Sequence, residues 1–371
     1  MKILEVFGEP ISYGGQESFV FRTIQNMNRE NLDFDFLTPY YINNPDYMRF
    51  IKKINSHLYC FKLPFRVGKN RFNVIRPYCR LLEKEHYDIV HINSGSISIL
   101  ALLAFYSKKK GVKKVIVHSH ISGENKNVKH EIIKNIYAPI FHFYTDLLIA
   151  PTLEAAYWQF SKKDFKEKGQ IVKNGIDLRA YSYNRQTRKI YREKLKFNSD
   201  DIVIGHVGRF SPQKNHIFLI QLLEYAIRKN NKFRLLLIGG GNEKDKIQKR
   251  IIDSNLENYV KIIGNVNNVT DYLQAMDIFV FPSRYEGLGI ASVEAQASGL
   301  PVLASSHVPK DIKVTDNVSF LDINSSIKIW YDALNKMLLT NERSKEVFKQ
   351  ISQKGYNIQQ TAEDLRNIYL Q

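Results

Sequence analysis

Residues 278–295 of the chain, IFVFPSRYEGLGIASVEA, carry its clearest structural signal. The apolar run at 278–281 predicts a buried strand, which the Pro-Ser pair after it brings to an end. A loop with two glycines follows, and the pattern from Gly289 onward predicts a helix that carries Glu294. A buried strand, a glycine-containing loop and a helix form a β–α unit, so this stretch predicts an α/β fold with a mostly parallel sheet.

The same alternation extends to both sides of this stretch. In the second half, strands are predicted at residues 202–207, 233–238, 260–263, 278–281 and 302–304, and helices begin near Gln213, Glu243, Val269 and Gly289. In the first half, strands are predicted at 2–7, 33–38, 57–61, 87–92, 112–118, 147–150 and 170–172, with helices at 16–27, 72–85, 128–143 and 152–161. The polar residues 178–189 are interpreted as an interdomain linker, and residues 356–370 as a final helix.

We therefore predict two doubly wound, Rossmann-like α/β domains, residues 1–180 and 181–355, that face each other across a cleft. Ligands bind such sheets beyond the carboxyl ends of the strands, so two facing domains are expected to hold two substrates. The 371 residues are enough for two domains that each bury a core.

Composition narrows the class of protein further. The chain has 54 Lys and Arg against 37 Asp and Glu, a formal net charge of +17, which favours nucleic acid, an anionic membrane or an anionic small substrate. Two cysteines are too few for a disulfide framework or a cysteine-based zinc site. No apolar run approaches a membrane span, and Glu5 interrupts any secretory signal. We therefore expect a cytoplasmic protein that is soluble or peripherally attached to a membrane.

Two carboxylates in the opening stretch predict a binding site. Glu286 lies in the loop, and Glu294 follows eight positions later, about one turn into the helix. Both are expected to reach a ligand at the helix N-terminus, where the free N–H groups of Gly287, Leu288 and Gly289 favour phosphate. Carboxylates accept hydrogen bonds from hydroxyls, so sugars beside a diphosphate fit this site. In the alternative interpretation, the first acid caps the helix and the second lies on the surface.

A pair of cations follows the predicted strand 202–207. Arg209 lies in the loop and Lys214 on the first turn of the next helix. A guanidinium and an ammonium at a strand's carboxyl end can neutralise a diphosphate without a metal, so we expect neither a metal nor another cofactor. The alternative is two solvated surface cations.

The first half offers a glycine pair and two histidines. Gly14 and Gly15 open a helix after the first strand, which suits a phosphate or sugar oxygen but also an ordinary tight turn. His118 and His120 share one face at a strand end, where either can bond a substrate hydroxyl or shuttle a proton. A metal site would need a third ligand that is not apparent nearby. His91, which ends the strand before, is predicted to be a core or supporting residue.

A basic cluster in the first half raises the question of a membrane. Its lysines are Lys108, Lys109, Lys110, Lys113, Lys114, Lys126, Lys129 and Lys134. The predicted helix 128–143 adds an apolar stripe of Ile132, Ile133, Ile136, Ile140 and Phe143. This combination fits a helix on an anionic bilayer and equally an ordinary helix packed on the sheet with a basic edge. Nucleic acid is a third hypothesis, which no binding motif supports.

Taken together, these motifs resemble the retaining, nucleotide-sugar-dependent glycosyltransferases of family 4, which have the GT-B architecture. The resemblance rests on stretches along the whole chain: Gly14-Gly15-x-Glu17, residues 87–91 (YDIVH), His118-Ser119-His120, residues 174–177 (NGID), Gly208-Arg209 with Lys214, and Glu286 to Glu294 followed by residues 295–302. Within the family, the chain is similar to enzymes of bacterial capsular and extracellular polysaccharide assembly.

The resemblance implies roles for individual residues. Arg209 and Lys214 match the pair that binds the donor diphosphate, Glu294 the acid on the ribose hydroxyls, and Glu286 the acid on the donor sugar. His120 matches the histidine near the transferred sugar, with His118 as a competitor. Gly14 and Gly15 match a loop near the diphosphate and the acceptor, and Gly287, Leu288 and Gly289 match positions that contact the phosphates or the sugar. Asn265 and Val266 match positions near the base. Residues 356–371 match a helix that crosses back to the first domain.

The implied activity is transfer of a hexose or N-acetylhexosamine from a nucleoside-diphosphate sugar, with uridine as the expected base, to a lipid-diphosphate-linked saccharide. The implied place is the inner face of the bacterial plasma membrane, with an anionic membrane surface as partner and no nucleic acid. Acceptor determinants are expected in loops at residues 40–47 and 66–76. The alternatives are a GT-B nucleotide-sugar epimerase, and a non-catalytic basic protein that binds membrane surfaces.

Overall fold

The computed structural model describes residues 1–65, 71–120, 128–339, 343 and 347–371. It divides the chain into two compact units. Unit 1 comprises Met1–Gly175 together with Ile358–Gln371, and unit 2 comprises Ile176–Asn357. Each unit is an α/β layer structure around a single parallel sheet.

Unit 1 contains seven strands and, up to residue 175, seven helices among the described residues. The strands are β1 (Lys2–Phe7), β2 (Asp33–Thr38), β3 (Leu58–Cys60), β4 (Ile89–Ser94), β5 (Lys114–Ser119), β6 (Leu147–Ala150) and β7 (Gly169–Ile171). The helices are α1 (Gly15–Asn26), α2 (Pro45–Lys53), α3 (Ile75–Lys84), α4 (Ile97–Lys109), α5 (Val128–Tyr144), α6 (Leu153–Gln159) and α7 (Lys162–Lys168), and a 3-10 turn, Arg71–Val74, precedes α3.

The sheet of unit 1 has the strand order β3-β2-β1-β4-β5-β6-β7, with every pair parallel. Alternate residues point to opposite faces of a strand. In β1, Ile3 packs into one buried apolar cluster and Leu4 into another, so both faces of the sheet are covered. The order reverses between β1 and β4, which places a ligand crevice at the carboxyl ends of these two strands.

Unit 2 contains six described strands and seven described helices. The strands are β8 (Ile202–Val207), β9 (Phe233–Ile238), β10 (Val260–Ile263), β11 (Ile278–Phe281), β12 (Val302–Ser305) and β13 (Val318–Leu321). The helices are α8 (Arg185–Leu195), α9 (His216–Lys229), α10 (Lys244–Asp253), α11 (Val269–Ala275), α12 (Ile290–Ala297), α13 (Ile327–Leu339) and α14 (Val347–Gln353), with 3-10 turns at Pro212–Lys214 and Lys310–Ile312.

The sheet of unit 2 is also entirely parallel, in the order β10-β9-β8-β11-β12-β13. Buried clusters cover both faces: Phe279 belongs to one and Ile278 to the other. The strand order reverses between β8 and β11, so the crevice of this unit lies beyond the carboxyl ends of those strands. The predicted fold, two doubly wound Rossmann-like halves, is confirmed.

The last helix, α15 (Ile358–Leu370), packs on α1 and belongs to unit 1. Its buried stripe includes Ala362, Leu365 and Ile368, which join the cluster that β1 and α1 form. Tyr369 ends the stripe, fully buried, and its hydroxyl reaches Glu5 on β1. The chain therefore returns to its first domain at its C-terminal end.

The predicted linker at residues 178–189 is wrong. Leu178 and Tyr181 are buried in the core of unit 2, and helix α8 begins at Arg185 inside the predicted stretch. The stretch is polar because only single apolar residues at intervals of a few positions contact the core. Asn184 caps α8 by accepting a hydrogen bond from the amide of Thr187.

Other differences are local. The predicted helix 152–161 corresponds to α6, which ends at Gln159 because Phe160 turns into the core. Ser161 then caps a further helix, α7, by accepting a hydrogen bond from the amide of Asp164. The predicted helix 72–85 begins with the 3-10 turn before α3. Seven described elements were not predicted as such: α2, α4, α7, α8, α13, α14 and β13. Helix α2 takes up part of the predicted loop 40–47.

Candidate functional site

The loops that follow β8 and β11 meet at the crevice of unit 2. Lys214 Nζ lies 2.6 Å from Glu286 Oε1, and both side chains are largely buried, with exposed fractions of 16% and 7%. Gln213 bridges the same two loops, because its side-chain amide donates to the carbonyl of Tyr285 at 2.9 Å. The amide of Arg284 donates back to the carbonyl of Gln213. Two segments 72 residues apart in the chain are thus fastened into one site.

Helix α12 begins at this site. Gly289 is its N-cap, in the left-handed conformation with φ 74°, and a Cβ there would lie 2.9 Å from the ring of Phe281. Glycine is therefore required at this position both for its backbone and for its lack of a side chain. Within the described part of the chain, the amides of Gly287, Leu288 and Gly289 donate to no other residue. They are available to an anionic ligand.

Glu294 lies on α12 and is 8% exposed. Its Oε1 accepts a short hydrogen bond from the hydroxyl of Tyr181, which is itself buried. Tyr181 lies in the stretch predicted as a linker, so no role was predicted for it. Its aromatic ring, three residues after the apolar Leu178, is the sequence signal that indicates a buried contact. The phenol fixes the rotamer of the carboxylate that is predicted to hold a ribose.

The other predicted donor residues of unit 2 lie along the same sheet edge. Arg209 follows β8, is exposed and makes no ion pair with any residue in the described ranges. Asn265, also exposed, and Val266, half-buried, follow β10. A Cβ on Gly240 would approach the amide of Asn265 to 3.3 Å, so these loops lie close together. An exposed cation that is unpaired among the described residues, at a strand's carboxyl end, can meet an anionic ligand.

Two buried histidines lie beneath Lys214. The ring of His206 lies 4.9 Å from that of His216, and His206 Nδ1 is 2.9 Å from the carbonyl oxygen of Val280. Burial, with a smaller contribution from the charge of Lys214, lowers the pKa of His216 to about 4. Burial and the neighbouring His216 hold the pKa of His206 well below 6.5. Both rings are therefore neutral near pH 7 and do not add to the positive charge above them.

In unit 1, the glycine loop lies at the carboxyl end of β1. Gly14 is the N-cap of α1, and a Cβ there would lie 2.2 Å from Glu17 Oε2. Gly15 has open space around its Cα and is exposed. Because the carboxylate of Glu17 already lies against Gly14, this loop favours a sugar hydroxyl over a phosphate. Nearby, Glu9 accepts a hydrogen bond from Ser94 at the end of β4, and burial raises its pKa to about 7.

His118 and His120 form a stack at the end of β5, as their alternation predicts. Their ring centroids are 4.1 Å apart, and the ring of His91 lies 5.4 Å from that of His118 on the other side. Burial, with the neighbouring histidines, lowers the pKa of His118 well below 6.5 and that of His120 to about 3. Asn93 Oδ1 lies 2.9 Å from His120 Nε2. His118 is fully buried and His120 only partly, which favours His120 as the residue that meets a ligand.

The predicted basic cluster is partly neutralised. Lys108, Lys110, Lys113 and Lys134 each form an ion pair with a nearby carboxylate, while Lys126 lies outside the described residues. Residues 66–70 of the predicted acceptor loop also lie outside them. No described helix is long and apolar enough to cross a membrane.

The apolar stripe of α5 faces outward. Val128, Ile136 and Phe143 are 71%, 64% and 73% exposed, and Ile132 and Ile133 are 54% and 40% exposed. Ile140 instead packs against the core. Among the described helices of unit 1, α5 therefore carries the most exposed large apolar side chains, and it packs against α4.

One described group of side chains has the composition of a metal site. His142, Asp164 and Glu167 place their ligand atoms within 4.8 Å of one another. Asp164 Oδ1, however, lies 2.8 Å from His142 Nδ1, and its Oδ2 accepts from the hydroxyl of Ser161. These contacts explain the cluster as the cap of α7. It lies on α5 and α7, not at the strand ends that carry the predicted residues.

Solved structures define the class of the fold. HepE of Anabaena in complex with UDP-glucose superimposes with a TM-score of 0.76 at 18% identity, over 99% of this chain and 100% of that one. Such structures are glycosyltransferases of the GT-B architecture, and the chain has this fold.

The family follows from profiles of each half. Residues 13–180 match the family described as Glycosyltransferase Family 4, and residues 187–355 match Glycosyl transferases group 1. The two matches do not overlap and leave out only short segments. The chain belongs to these glycosyltransferases.

Three relatives extend along most of the chain. The glycosyltransferase EpsF of Bacillus subtilis is 28% identical over 96% of this chain and 93% of its own length. An Escherichia coli enzyme named UDP-Gal:alpha-D-GlcNAc-diphosphoundecaprenol alpha-1,3-galactosyltransferase is 26% identical over 78% and 77%. The capsular polysaccharide biosynthesis glycosyltransferase CapH of Staphylococcus aureus is 24% identical over 100% and 99%.

Proposed function

We propose that this glycosyltransferase moves a hexose or N-acetylhexosamine from a UDP-sugar to a lipid-diphosphate-linked saccharide in surface polysaccharide synthesis, with retention of anomeric configuration and without a metal. The observation that carries the donor assignment is the crevice of unit 2. At the ends of β8 and β11 lies Arg209, an exposed cation that makes no ion pair within the described ranges, together with the Lys214–Glu286 pair. The amides of Gly287 to Gly289, which donate to no other described residue, lie beside them.

The proposed chemistry follows from where charge develops. The bond between the anomeric carbon and the diphosphate oxygen breaks, and UDP leaves with the electron pair. Arg209, Lys214 and the amides that precede α12 stabilise this charge. The acceptor hydroxyl attacks from the face that the diphosphate leaves, and its proton passes to the departing phosphate oxygen. Glu286 orients the sugar through hydroxyl hydrogen bonds, and Glu294, held by Tyr181, orients the ribose.

Comparison supports the two substrates. HepE is solved with UDP-glucose, and the Escherichia coli relative takes UDP-galactose and an acceptor linked to diphosphoundecaprenol. CapH acts in capsular polysaccharide biosynthesis. A lipid-linked acceptor resides in a membrane, so the proposal includes action at the cytoplasmic face of the plasma membrane.

The donor proposal is tested by binding before turnover is measured. UDP at 100 times its dissociation constant should stabilise the protein by about 2.7 kcal/mol, visible as a raised melting temperature. ADP and GDP serve as controls for the base, and a panel of UDP-sugars identifies the sugar by its hydrolysis. Proton NMR of the first product then reports the anomeric configuration. The absence of stabilisation by any nucleoside diphosphate would contradict the donor site, and an inverted product would contradict retention.

The exposed face of α5 is the proposed membrane contact. Val128, Ile132, Ile136 and Phe143 lie at spacings of four, four and seven residues, which keeps them on one side of the helix. Exposed Lys129 and Lys109 flank this side at the ends of α5 and α4. Apolar side chains with basic neighbours suit the boundary between headgroups and acyl chains of an anionic bilayer.

This contact is tested by sedimentation with vesicles of anionic or neutral lipid. The double variant Ile132→Asp with Ile136→Asp should weaken binding to anionic vesicles by 10²-fold or more, since burial of each isoleucine contributes about 2 kcal/mol. Ile252→Asp is the matched control, because this isoleucine is 59% exposed on α10 of unit 2. Equal binding by the double variant and the control would exclude α5 as the membrane contact.

A further inference from the structure

A buried chain of hydrogen bonds runs from the C-terminal helix to His120. The hydroxyl of Tyr369 on α15 donates to Glu5 Oε1 at 2.5 Å, and the side-chain amide of Asn93 donates to Glu5 Oε2 at 2.9 Å. Asn93 Oδ1 then lies 2.9 Å from His120 Nε2. Glu5 and Asn93 have no exposed surface, and Tyr369 is 1% exposed. His91 joins the chain from the side, with Nδ1 3.1 Å from Glu5 Oε1.

This series of hydrogen bonds determines which atoms carry the hydrogens. The side of the Asn93 amide that faces Glu5 is its NH₂ group, because the same nitrogen also lies 3.4 Å from the carbonyl oxygen of His91, which only accepts hydrogen bonds. The carbonyl side then faces His120, and a carbonyl oxygen also only accepts. His120 Nε2 must therefore carry the hydrogen. In a neutral ring the other nitrogen, Nδ1, is left with its lone pair.

The second ring nitrogen of His120, Nδ1, is buried and has no hydrogen-bond partner among the described residues. Buried polar atoms normally have partners, so an unpaired one at a strand's carboxyl end suggests a ligand. The ring cannot turn easily, because His118 stacks on it at 4.1 Å and the ring of Phe19 lies 5.5 Å away.

We propose that Glu5 and Asn93 are positioning residues that hold His120 as the Nε2–H tautomer, so that its Nδ1 accepts a hydrogen bond from a hydroxyl of the donor sugar. This inference rests on the proposed function and specifies it further. It assigns the direction of one hydrogen bond to the substrate, and it gives Asn93 and Glu5 a role although neither contacts the sugar. A donor deoxygenated at that hydroxyl is expected to be a poor substrate, because it leaves Nδ1 unpaired.

The tautomer is measured directly. NMR of protein labelled with ¹⁵N in its histidines distinguishes a protonated Nδ1 from a protonated Nε2, and the His120 signals are those that disappear in His120→Gln. The wild-type ring should carry its hydrogen on Nε2. In Asn93→Leu, which is close in shape and has no polar atoms, Nε2 loses its acceptor and both tautomers should appear. These spectra need no substrate, so they stand whether or not the proposed reaction is observed.

An exchange of the two positioning residues gives a matched rescue. In the double variant Glu5→Gln with Asn93→Asp, the amide at position 5 donates to the carboxylate at position 93, which in turn accepts from His120 Nε2. The shape and the order of donors and acceptors are kept, and the carboxyl group now lies one position nearer the ring. The double variant should restore the single tautomer and raise the pKa of His120, which shifts the acid limb of the pH profile upward.

Turnover completes the test. Asn93→Leu should lower kcat by about 10²-fold, with UDP affinity unchanged, and the exchange variant should recover most of this loss. Tyr78→Phe is the control for loss of a buried hydrogen bond in unit 1. Among the described residues its hydroxyl bonds only Ser107, at 2.6 Å, and it takes no part in the series of hydrogen bonds that leads to His120. A wild-type ring protonated on Nδ1 would overturn the proposal, even if Asn93→Leu failed to fold. So would full turnover of Asn93→Leu, or its loss with the tautomer unchanged.

Discussion

The Lys214–Glu286 pair gives the sharpest prediction for the candidate donor site. Both side chains are largely buried and their charged atoms are 2.6 Å apart. Removing one partner of a buried ion pair leaves an uncompensated charge and typically costs 3–5 kcal/mol. Lys214 is 16% exposed, so water relieves part of this cost. Lys214 Nζ also lies 5.1 Å from the centroid of the Phe281 ring. We expect Lys214→Met, which keeps a flexible side chain of similar length but removes the charge, to lower the free energy of unfolding of unit 2 by about 3 kcal/mol.

The second partner makes the prediction specific. Glu286→Gln removes the charge that Lys214→Met leaves behind, so the double variant should regain about 2 kcal/mol and be more stable than Lys214→Met alone. The affinity for UDP is expected to rank these variants in a different order from their stability. Glu286→Gln should keep its affinity for UDP, because Lys214 remains, yet lose turnover. Both variants that lack Lys214 should lose UDP affinity by 10-fold or more.

The assay uses the two tryptophans of the chain. In a Trp158→Phe background, Trp330 is the one tryptophan left, and it is buried in unit 2, so its fluorescence follows the urea unfolding of that unit. Calorimetry with UDP measures affinity in the same set of variants. A stability loss below about 0.5 kcal/mol for Lys214→Met, or a double variant no more stable than this single one, would refute the argument from the buried pair.

Further predictions concern the remaining site residues. Arg209→Ala should lower turnover by about 10²–10³-fold with unchanged stability, because its side chain is exposed and unpaired among the described residues; a melting temperature lowered by several degrees would contradict this. Glu294→Gln should weaken UDP binding by about 10-fold without unfolding unit 2, and calorimetry against wild type checks it. Burial depresses the pKa values of His118 and His120, so folding requires both rings to be neutral. The free energy of unfolding should therefore be highest above pH 6.5 and fall below it, by up to about 1.4 kcal/mol per pH unit for each ring. Urea titrations at pH 7 and pH 5 measure this difference. Chelators should leave transfer unchanged, and a strict requirement for a divalent metal would count against the cationic clamp.

Much of the fold was predictable because its signals are local. The strands of a doubly wound sheet are continuous apolar runs, as in IFVF at 278–281, and the predicted bounds of β1, β2 and β8 match the structure. The linker prediction failed for the opposite reason. Leu178 and Tyr181 are single apolar residues among polar ones, and only the packing of unit 2 shows that they enter its core.

The candidate site, like the fold, was predicted only in part from the sequence. The residue types and their position after strands predicted Arg209, Lys214 and Glu286 as parts of one site. The structure adds that Lys214 and Glu286 are paired with each other. No spacing rule connects residues 72 positions apart, so this contact depends on β8 and β11 being neighbours in the sheet.

Sequence alone therefore determined the α/β class, the two-domain plan and the strand-end positions of the candidate residues, because these depend on apolar periodicity and on glycines at turns. Tertiary structure alone decided which side chains meet. It joined Tyr181 to Glu294, and it placed Tyr369 from the last helix on Glu5 of the first strand. Hydrogen bonds and ion pairs act over about 3 Å, so partners distant in the chain are defined only when the sheet brings them together.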